Sequence, residues 1–311
     1  MQKNTSKFLT LREMTEIKPN FLIVGAAKAG TTALYYYLKQ HKDIGLSHLK
    51  EPKYFSSFNL SFPHNGVGDG SVDKYAIRDW EEYLELFKDF KSHKRIGEVS
   101  PDYLFYHKQT APFIKRKLGN IPIIIILRNP VKRAFSAYSY LKRDNREKRT
   151  FKDALTNEKS RKNKNWDFIW SYKEGGLYAE QIATYKAVFT DVKVVCFEDL
   201  VKNSLKETNE IAEFLGLHKL TNLISSKHNA SGVPNNYLTR FILRRDNKIS
   251  TSFREFLKNM IPRIILEKIA IKTLDKIEIK KEDEEYLKNY FKGDIEKLEK
   301  LIDRDLSNWK N

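Results

Sequence analysis

Residues 121–127 read Ile-Pro-Ile-Ile-Ile-Ile-Leu, a run in which neither alternate set of side chains offers a polar face to water. Side chains of a strand point to its two faces in turn, so this run needs cover on both sides, which suits a strand of a parallel sheet with helices above and below. The rest of the chain alternates in the same sense. Residues 21–24, Phe-Leu-Ile-Val, form a short apolar run ending at Gly25, and residues 31–41 then carry Ala33, Leu34, Tyr37 and Leu38 at helical spacing. Further strands are expected at 44–47, 95–99 and 192–197, and helices around Trp80 to Phe87, after Val131, and over 204–215, where Gly216 ends the pattern. Residues 59–73, with Pro63, Gly66, Gly68 and Gly70, read as a surface loop. Strands separated by helices imply right-handed crossovers and an α/β fold, a three-layer sandwich with a central parallel sheet flanked by helices.

A chain of 311 residues, 41% of them hydrophobic, is long enough for one substantial core. We expect residues 1–20 to be an N-terminal extension and 21–311 a single domain. Cys196 is the only cysteine, so no intramolecular disulfide can form, and no Cys/His cluster with zinc spacing exists. A reducing compartment follows. Residues 1–20 are polar, without the apolar stretch of a secretory leader, and no later run approaches the ~20 apolar residues that span a bilayer. The expected location is cytoplasmic. With 57 Lys+Arg against 40 Asp+Glu, the formal net charge is +17, which favours anionic ligands without naming one.

Two segments narrow that choice. Residues 25–32, Gly-Ala-Ala-Lys-Ala-Gly-Thr-Thr, lie between the first strand and its helix and carry the Gly-x4-Gly frame of a P-loop, with Thr31 where that motif has its lysine and the cation moved to Lys28. Small residues let backbone N–H groups close on an oxyanion at the positive end of the helix, and the Thr31 and Thr32 hydroxyls add donors. The second segment, residues 127–138, ends the Ile-rich strand with Arg128, where a nucleoside triphosphatase would hold magnesium with an aspartate. Arg128 offers forked donors to a phosphate, and Ser136 adds a hydroxyl from the next helix. Lys132 and Arg133 read as helix-surface charges or packing salt bridges. Two anion sites at two strand ends suit a nucleotide phosphorylated at both ends, with no metal.

At this point the chain resembles the sulfotransferases that use 3′-phosphoadenosine 5′-phosphosulfate (PAPS), in the branch of the heparan sulfate (glycosaminoglycan) sulfotransferases and their bacterial relatives. The resemblance implies a P-loop-type sandwich and transfer of a sulfuryl group to a hydroxyl or amine of a carbohydrate or lipid-linked glycan. It implies that Lys28, Ala29, Gly30, Thr31 and Thr32 bind the 5′-phosphosulfate, that Arg128 and Ser136 bind the 3′-phosphate, and that Asn229, Ser231 and Gly232 belong to a loop closing over the nucleotide. It also makes Glu51, just before the aromatic pair Tyr54-Phe55, the base that takes the acceptor proton, with Lys28 assisting the leaving group. Similar segments recur at 97–103, 178–182, 197–200 and 214–217. One departure concerns Glu98-Val99-Ser100, where many glycosaminoglycan enzymes have Glu-Lys-Thr/Ser; their second lysine is missing, and Lys53 is the candidate substitute. Glu98 is the alternative carboxylate, and His48 or His228 the alternative base.

Residues 142–165 hold ten Lys/Arg and four Asp/Glu, a basic insertion or loop that would steer an acidic polysaccharide or simply be solvated. Residues 250–276 form an amphipathic helical segment, read first as core or lid packing and second as peripheral contact with the inner membrane face. The expected partner is a carbohydrate or glycolipid acceptor, with no nucleic acid. Two other readings stay open: a P-loop kinase, which would need a metal-holding acid, and a non-enzymatic polyanion-binding module.

Overall fold

The Ile-rich run is strand β4 (Ile123–Leu127), and all five of its residues are buried. The computed structural model describes residues 16–58, 60–224, 233–234, 274–275 and 277–310. Pairing starts one residue after Pro122, which has no N–H to give a neighbouring strand. On one side β4 pairs in parallel with β1 (Phe21–Gly25), Leu22 opposite Ile123; on the other it pairs with β5 (Val192–Cys196), Leu127 opposite Cys196. Strands β2 (Ile44–Leu46) and β3 (Arg95–Val99) complete a five-stranded parallel sheet in the order β2-β3-β1-β4-β5. Among the described residues a two-residue antiparallel pair, 233–234 with 274–275, is the only other ladder.

Alternation explains both cores. Leu22, Val24, Ile123, Ile125 and Leu127 enter the larger apolar cluster on one face, while Phe21, Ile23, Ile124 and Ile126 enter a second cluster on the other. The second face is covered by α1 (Thr31–Leu38) and α7 (Ser204–Phe214). The first is covered by α2 (His107–Leu118), α3 (Pro130–Arg143), α6 (Tyr178–Val188) and the long α8 (Lys281–Ile302). Asp294 of α8 accepts the Tyr178 N–H at 2.7 Å, capping α6 from another helix. The helix expected through residue 41 stops at Leu38, where the backbone tightens into turns, Gln40 N donating to Tyr37 O at 3.1 Å and His41 N to Leu38 O at 3.0 Å.

Two expectations about charge and one about a surface loop are revised. Residues 142–165 continue α3 and then form α4 (Phe151–Thr156) and α5 (Glu158–Asn163), with Arg161 buried in a two-pronged pair with Glu147 at 2.6 and 3.0 Å. Arg133 is not a surface charge, and among the described residues it has no salt bridge: it is buried and donates to the carbonyls of Ser171 and Tyr172. The stretch 59–73 is drawn inward at Asp69, which is fully buried and accepts from Trp170 Nε1 at 3.0 Å and from Arg146. Arg133 and Asp69 are held by partners 38 to 101 positions away, which local composition does not encode, whereas Arg161 finds Glu147 within the run itself. No helix among the described residues is long and apolar enough to cross a membrane.

Candidate active site

Connections from β1 lead toward β3 on one side, while β4 leads to β5 on the other, so the crevice beyond the carboxyl ends of β1 and β4 lies where the sheet order reverses. The residues there line a cleft of about 350 Å³. Its floor is the loop between β1 and α1. Gly30 caps α1 with φ +98°, and a Cβ there would stand 2.5 Å from the Phe197 ring, so both backbone angle and space require glycine. The free N–H groups of the first turn of α1 begin at this point, beside the buried Thr31 and the half-buried Thr32, both of which line the cleft. Lys28 also has a left-handed backbone, φ 67°, and its ammonium lies 4.1 Å from the centre of the Tyr140 ring.

The opposite wall is α3. Asn129 caps it, accepting from the N–H groups of Val131 at 3.0 Å and Lys132 at 3.2 Å, and Pro130 opens the helix with no N–H to satisfy. Ser136, Tyr140 and Arg143 follow at intervals of four and three and so share one face, and all three line the cleft. Arg128, just before the cap, lies over the Phe197 ring at 4.8 Å and donates to Lys28 O at 3.2 Å. That bond ties the two anion-reading segments of the sequence together.

Among the described residues six cations line the cleft: Lys28, Lys50, Lys53, Arg128, Arg143 and Arg146. Lys50 pairs with Glu51 at 2.6 Å, Lys53 with Asp167 at 3.2 Å, Arg143 with Asp144 at 3.1 Å, and Arg146 with Asp69. Lys28 and Arg128 have no carboxylate within salt-bridge distance among the described residues. Burial, reinforced by the Arg143 guanidinium, pulls the Lys28 pKa down to about 7. Burial also lowers Arg128, with Glu198 working the other way. An anion bridging these two groups would therefore relieve a deficit the fold leaves open. The donor set, two unpaired cations with hydroxyls and helix N–H groups, fits phosphate and sulfate oxygens.

Glu51 follows β2 on the facing side, with φ 64°. Burial opposes its charge, but Lys50, Lys53 and Lys28 outweigh it and hold the carboxyl below its usual pKa, so it is ionised. Lys53 lines the same cleft but is almost wholly buried, its ammonium engaged by Asp167. Glu98 and His48 do not line the cleft. Glu98 is buried at the end of β3 and accepts from the hydroxyls of Ser100 at 2.6 Å, Tyr103 at 2.7 Å and Tyr83 at 3.0 Å; burial still pushes it up to about 7. His48 is exposed and packs against Phe90. Asn229, Ser231, Gly232, His228 and most of 250–276 lie outside the described residues. Sequence reasoning missed Tyr140, Arg143, Arg146 and Asp167; the spacing from Ser136 contained the first two, and nothing local signals the others. His64, Asp73 and Asp167 bring ligand-type atoms within 4.8 Å of one another, but His64 Nδ1 is engaged by Asp73 at 2.7 Å and Asp167 by Lys53.

Fold and cleft define an α/β protein with a cation-lined crevice at the switch point of a parallel sheet. The chain belongs to the sulfotransferase family: the model of that family matches residues 19–221. The crystal structure of a sulfotransferase from Alicyclobacillus acidocaldarius superposes with a TM-score of 0.74 at 33% identity, covering 94% of this chain and 99% of that one. Membrane-associated sulfotransferase kil1 of Dictyostelium discoideum is 35% identical over 122 residues, 39% of this chain and 23% of that protein. Human heparan sulfate glucosamine 3-O-sulfotransferase 3A1 is 28% identical over 222 residues, 71% of this chain and 49% of that one. The chain thus spans less than half the length of these two relatives.

Proposed function

We propose that this protein transfers the sulfuryl group of PAPS to a hydroxyl or amine of a carbohydrate or lipid-linked glycan. The observation that carries this reading is that Lys28 and Arg128, alone among the cleft cations of the described residues, lack a carboxylate partner and are joined by one hydrogen bond. PAPS supplies a sulfur already bonded to a good leaving group, so the protein needs to position, deprotonate and neutralise. Arg128 and Ser136 hold the 3′-phosphate, and Thr31, Thr32 and the α1 N-terminus hold the 5′-phosphate. Lys28 faces the bridging oxygen and takes up the charge that develops as the sulfur–oxygen bond breaks. Glu51 accepts the acceptor proton as the new oxygen–sulfur or nitrogen–sulfur bond forms, and the products are the sulfated acceptor and adenosine 3′,5′-bisphosphate. A carboxylate held ionised by Lys50, Lys53 and Lys28 is always ready to receive that proton, although its low basicity means it acts only on a hydroxyl already losing its proton to transfer.

The relatives named for heparan sulfate support a carbohydrate acceptor. A kinase reading lacks an aspartate at the end of β4, where Arg128 stands. Thermal-shift titration with adenosine 3′,5′-bisphosphate, ATP with Mg²⁺, and heparin separates the readings. Selective stabilisation by the first, by about 2.7 kcal/mol at a hundredfold excess over its Kd, is the expected result; stabilisation by heparin alone, or by ATP only with Mg²⁺, overturns the proposal.

A further inference from the structure

Lys53 and Asp167 are separated by 114 positions, yet their charged groups meet at 3.2 Å, each side chain nearly excluded from solvent. A buried ion pair is a poor source of stability compared with apolar residues of similar size, so its use points to what it fixes in place. Glu51 and Lys53 flank Pro52 and both adopt left-handed backbone, φ 64° and 57°, although neither is glycine or asparagine. A turn of that kind persists only when its surroundings over-determine it. Glu51 N donates to Val99 O at 3.0 Å and Pro52 O accepts from Ile77 N at 2.9 Å, which anchors the backbone from one side. The side-chain anchor is Asp167. That carboxylate is itself immobilised: its N–H donates to Asp69 Oδ2 at 3.0 Å, its Oδ1 accepts from Ile169 N at 3.0 Å, and Oδ2 is left for Lys53. Asp69 is in turn gripped by Arg146 and Trp170. A continuous line of contacts therefore runs from the Glu51 turn to the wall formed by Phe168 and Ile169, both of which line the cleft.

We propose that Lys53 and Asp167 are a positioning pair which holds the Glu51 carboxylate in register with Lys28 and with the Phe168–Ile169 wall, rather than groups that touch the acceptor. Lys53 faces three carboxylates, Asp167, Asp102 and Glu51, and Asp102 Oδ1 has no hydrogen-bond partner among the described residues. With Asp167 neutralised, the Lys53 ammonium turns to those two, and Glu51 is drawn away from the cleft. With Lys53 removed, Asp167 no longer anchors the turn. The proposal rests on the reading of Glu51 as base.

The test compares full-length wild type with Lys53→Met, Asp167→Asn, the double variant and Lys53→Arg, using the acceptor that supports turnover and adenosine 3′,5′-bisphosphate as the binding probe. Lys53→Met, Asp167→Asn and the double variant should each lose roughly 10- to 100-fold in kcat, the range expected of a misplaced reacting group, and the double should be no worse than the single variants. The Kd for the bisphosphate should stay within twofold. Lys53→Arg, which keeps the charge, should recover much of the rate. The acid limb of the kcat/KM profile adds a signature that a purely structural role lacks. The charged groups facing Glu51 are Lys50, Lys53, Lys28 and Asp102, so removing Lys53 should move that limb to higher pH, whereas removing the Asp167 charge should move it lower. The double variant, which removes both members of the buried ion pair together, keeps the test open if a single variant does not fold. An increase in acceptor KM confined to Lys53→Met, or unchanged kcat in the folded double variant, overturns the pair's role. Failure of wild type to bind the bisphosphate would instead overturn the proposed function.

Discussion

The two ends of the cleft solve opposite problems. At the end built by the β1–α1 loop and the start of α3, Lys28 and Arg128 stand without carboxylates within salt-bridge distance among the described residues, and the Lys28 pKa has fallen to about 7. At the other end Lys50, Lys53, Arg143 and Arg146 each have one, at 2.6 Å, 3.2 Å and 3.1 Å for the first three. The first end is electrostatically incomplete and gains most from a ligand. The second has its charges paired without one, so they fix geometry. The difference teaches that counting cations around a cleft says less than asking which of them are already spoken for.

The largest expected effect tests the complete end. Glu51→Gln should lower kcat by about 10²- to 10⁴-fold, the usual range for a lost general base, while the Kd for adenosine 3′,5′-bisphosphate changes by less than about threefold. Sulfate transfer followed by mass spectrometry, with calorimetry for the nucleotide, reads both. An equal loss in binding would place Glu51 at the donor instead.

Removing one cation from each end should then separate stability from affinity. Arg146→Ala leaves the fully buried Asp69 uncompensated and should destabilise the fold by about 3–5 kcal/mol in chemical denaturation. Arg128→Ala orphans no carboxylate within salt-bridge distance among the described residues, so its unfolding midpoint should barely move, while the nucleotide Kd rises by roughly 10- to 100-fold, as charge-assisted hydrogen bonds are lost. Reversed results for the two variants would abolish the distinction between the ends.

How far the sequence anticipates this arrangement depends on how local each device is. The Ile-rich strand, the Gly25–Gly30 frame, Lys28, and the Arg128 to Ser136 spacing are all legible, because a strand end, a turn and a helix face are set by neighbours a few residues away. Glu51 was reached only through a family resemblance; spacing alone leaves it as a surface ion pair with Lys50, and that pair is indeed present at 2.6 Å. The basic run 142–165 was illegible in the opposite way. It reads as solvated charge, whereas Arg146 and Arg161 are buried, because tertiary packing brings Asp69 to Arg146 and the run folds back on itself to set Arg161 on Glu147. Likewise Glu98 looks equivalent to Glu51 in sequence, and only the surrounding hydroxyls of Tyr83, Tyr103 and Ser100 distinguish a buried acid pushed up to about 7 from one held ionised by lysines.

The smallest effect concerns pH and bears on the incomplete end alone. In the free protein Lys28 loses its proton near pH 7, while a bound phosphate beside it would favour the charged form and raise its pKa. Affinity for adenosine 3′,5′-bisphosphate should therefore be full below about pH 7, and weaken as pH rises above it by at most about tenfold per unit until the bound-state pKa is reached. The second ionisation of a phosphate monoester lies near pH 6, so between pH 7.5 and 9 the nucleotide contributes little slope of its own. Calorimetry across that range in two buffers of different ionisation enthalpy should show proton uptake approaching one per nucleotide at the upper end. Lys28→Met should abolish both slope and uptake, whereas Lys50→Met, which removes a cation already paired with Glu51, should leave both in place. A flat profile in the wild type would mean that Lys28 stays charged without a ligand, and the contrast between an incomplete and a complete end would then rest on geometry alone.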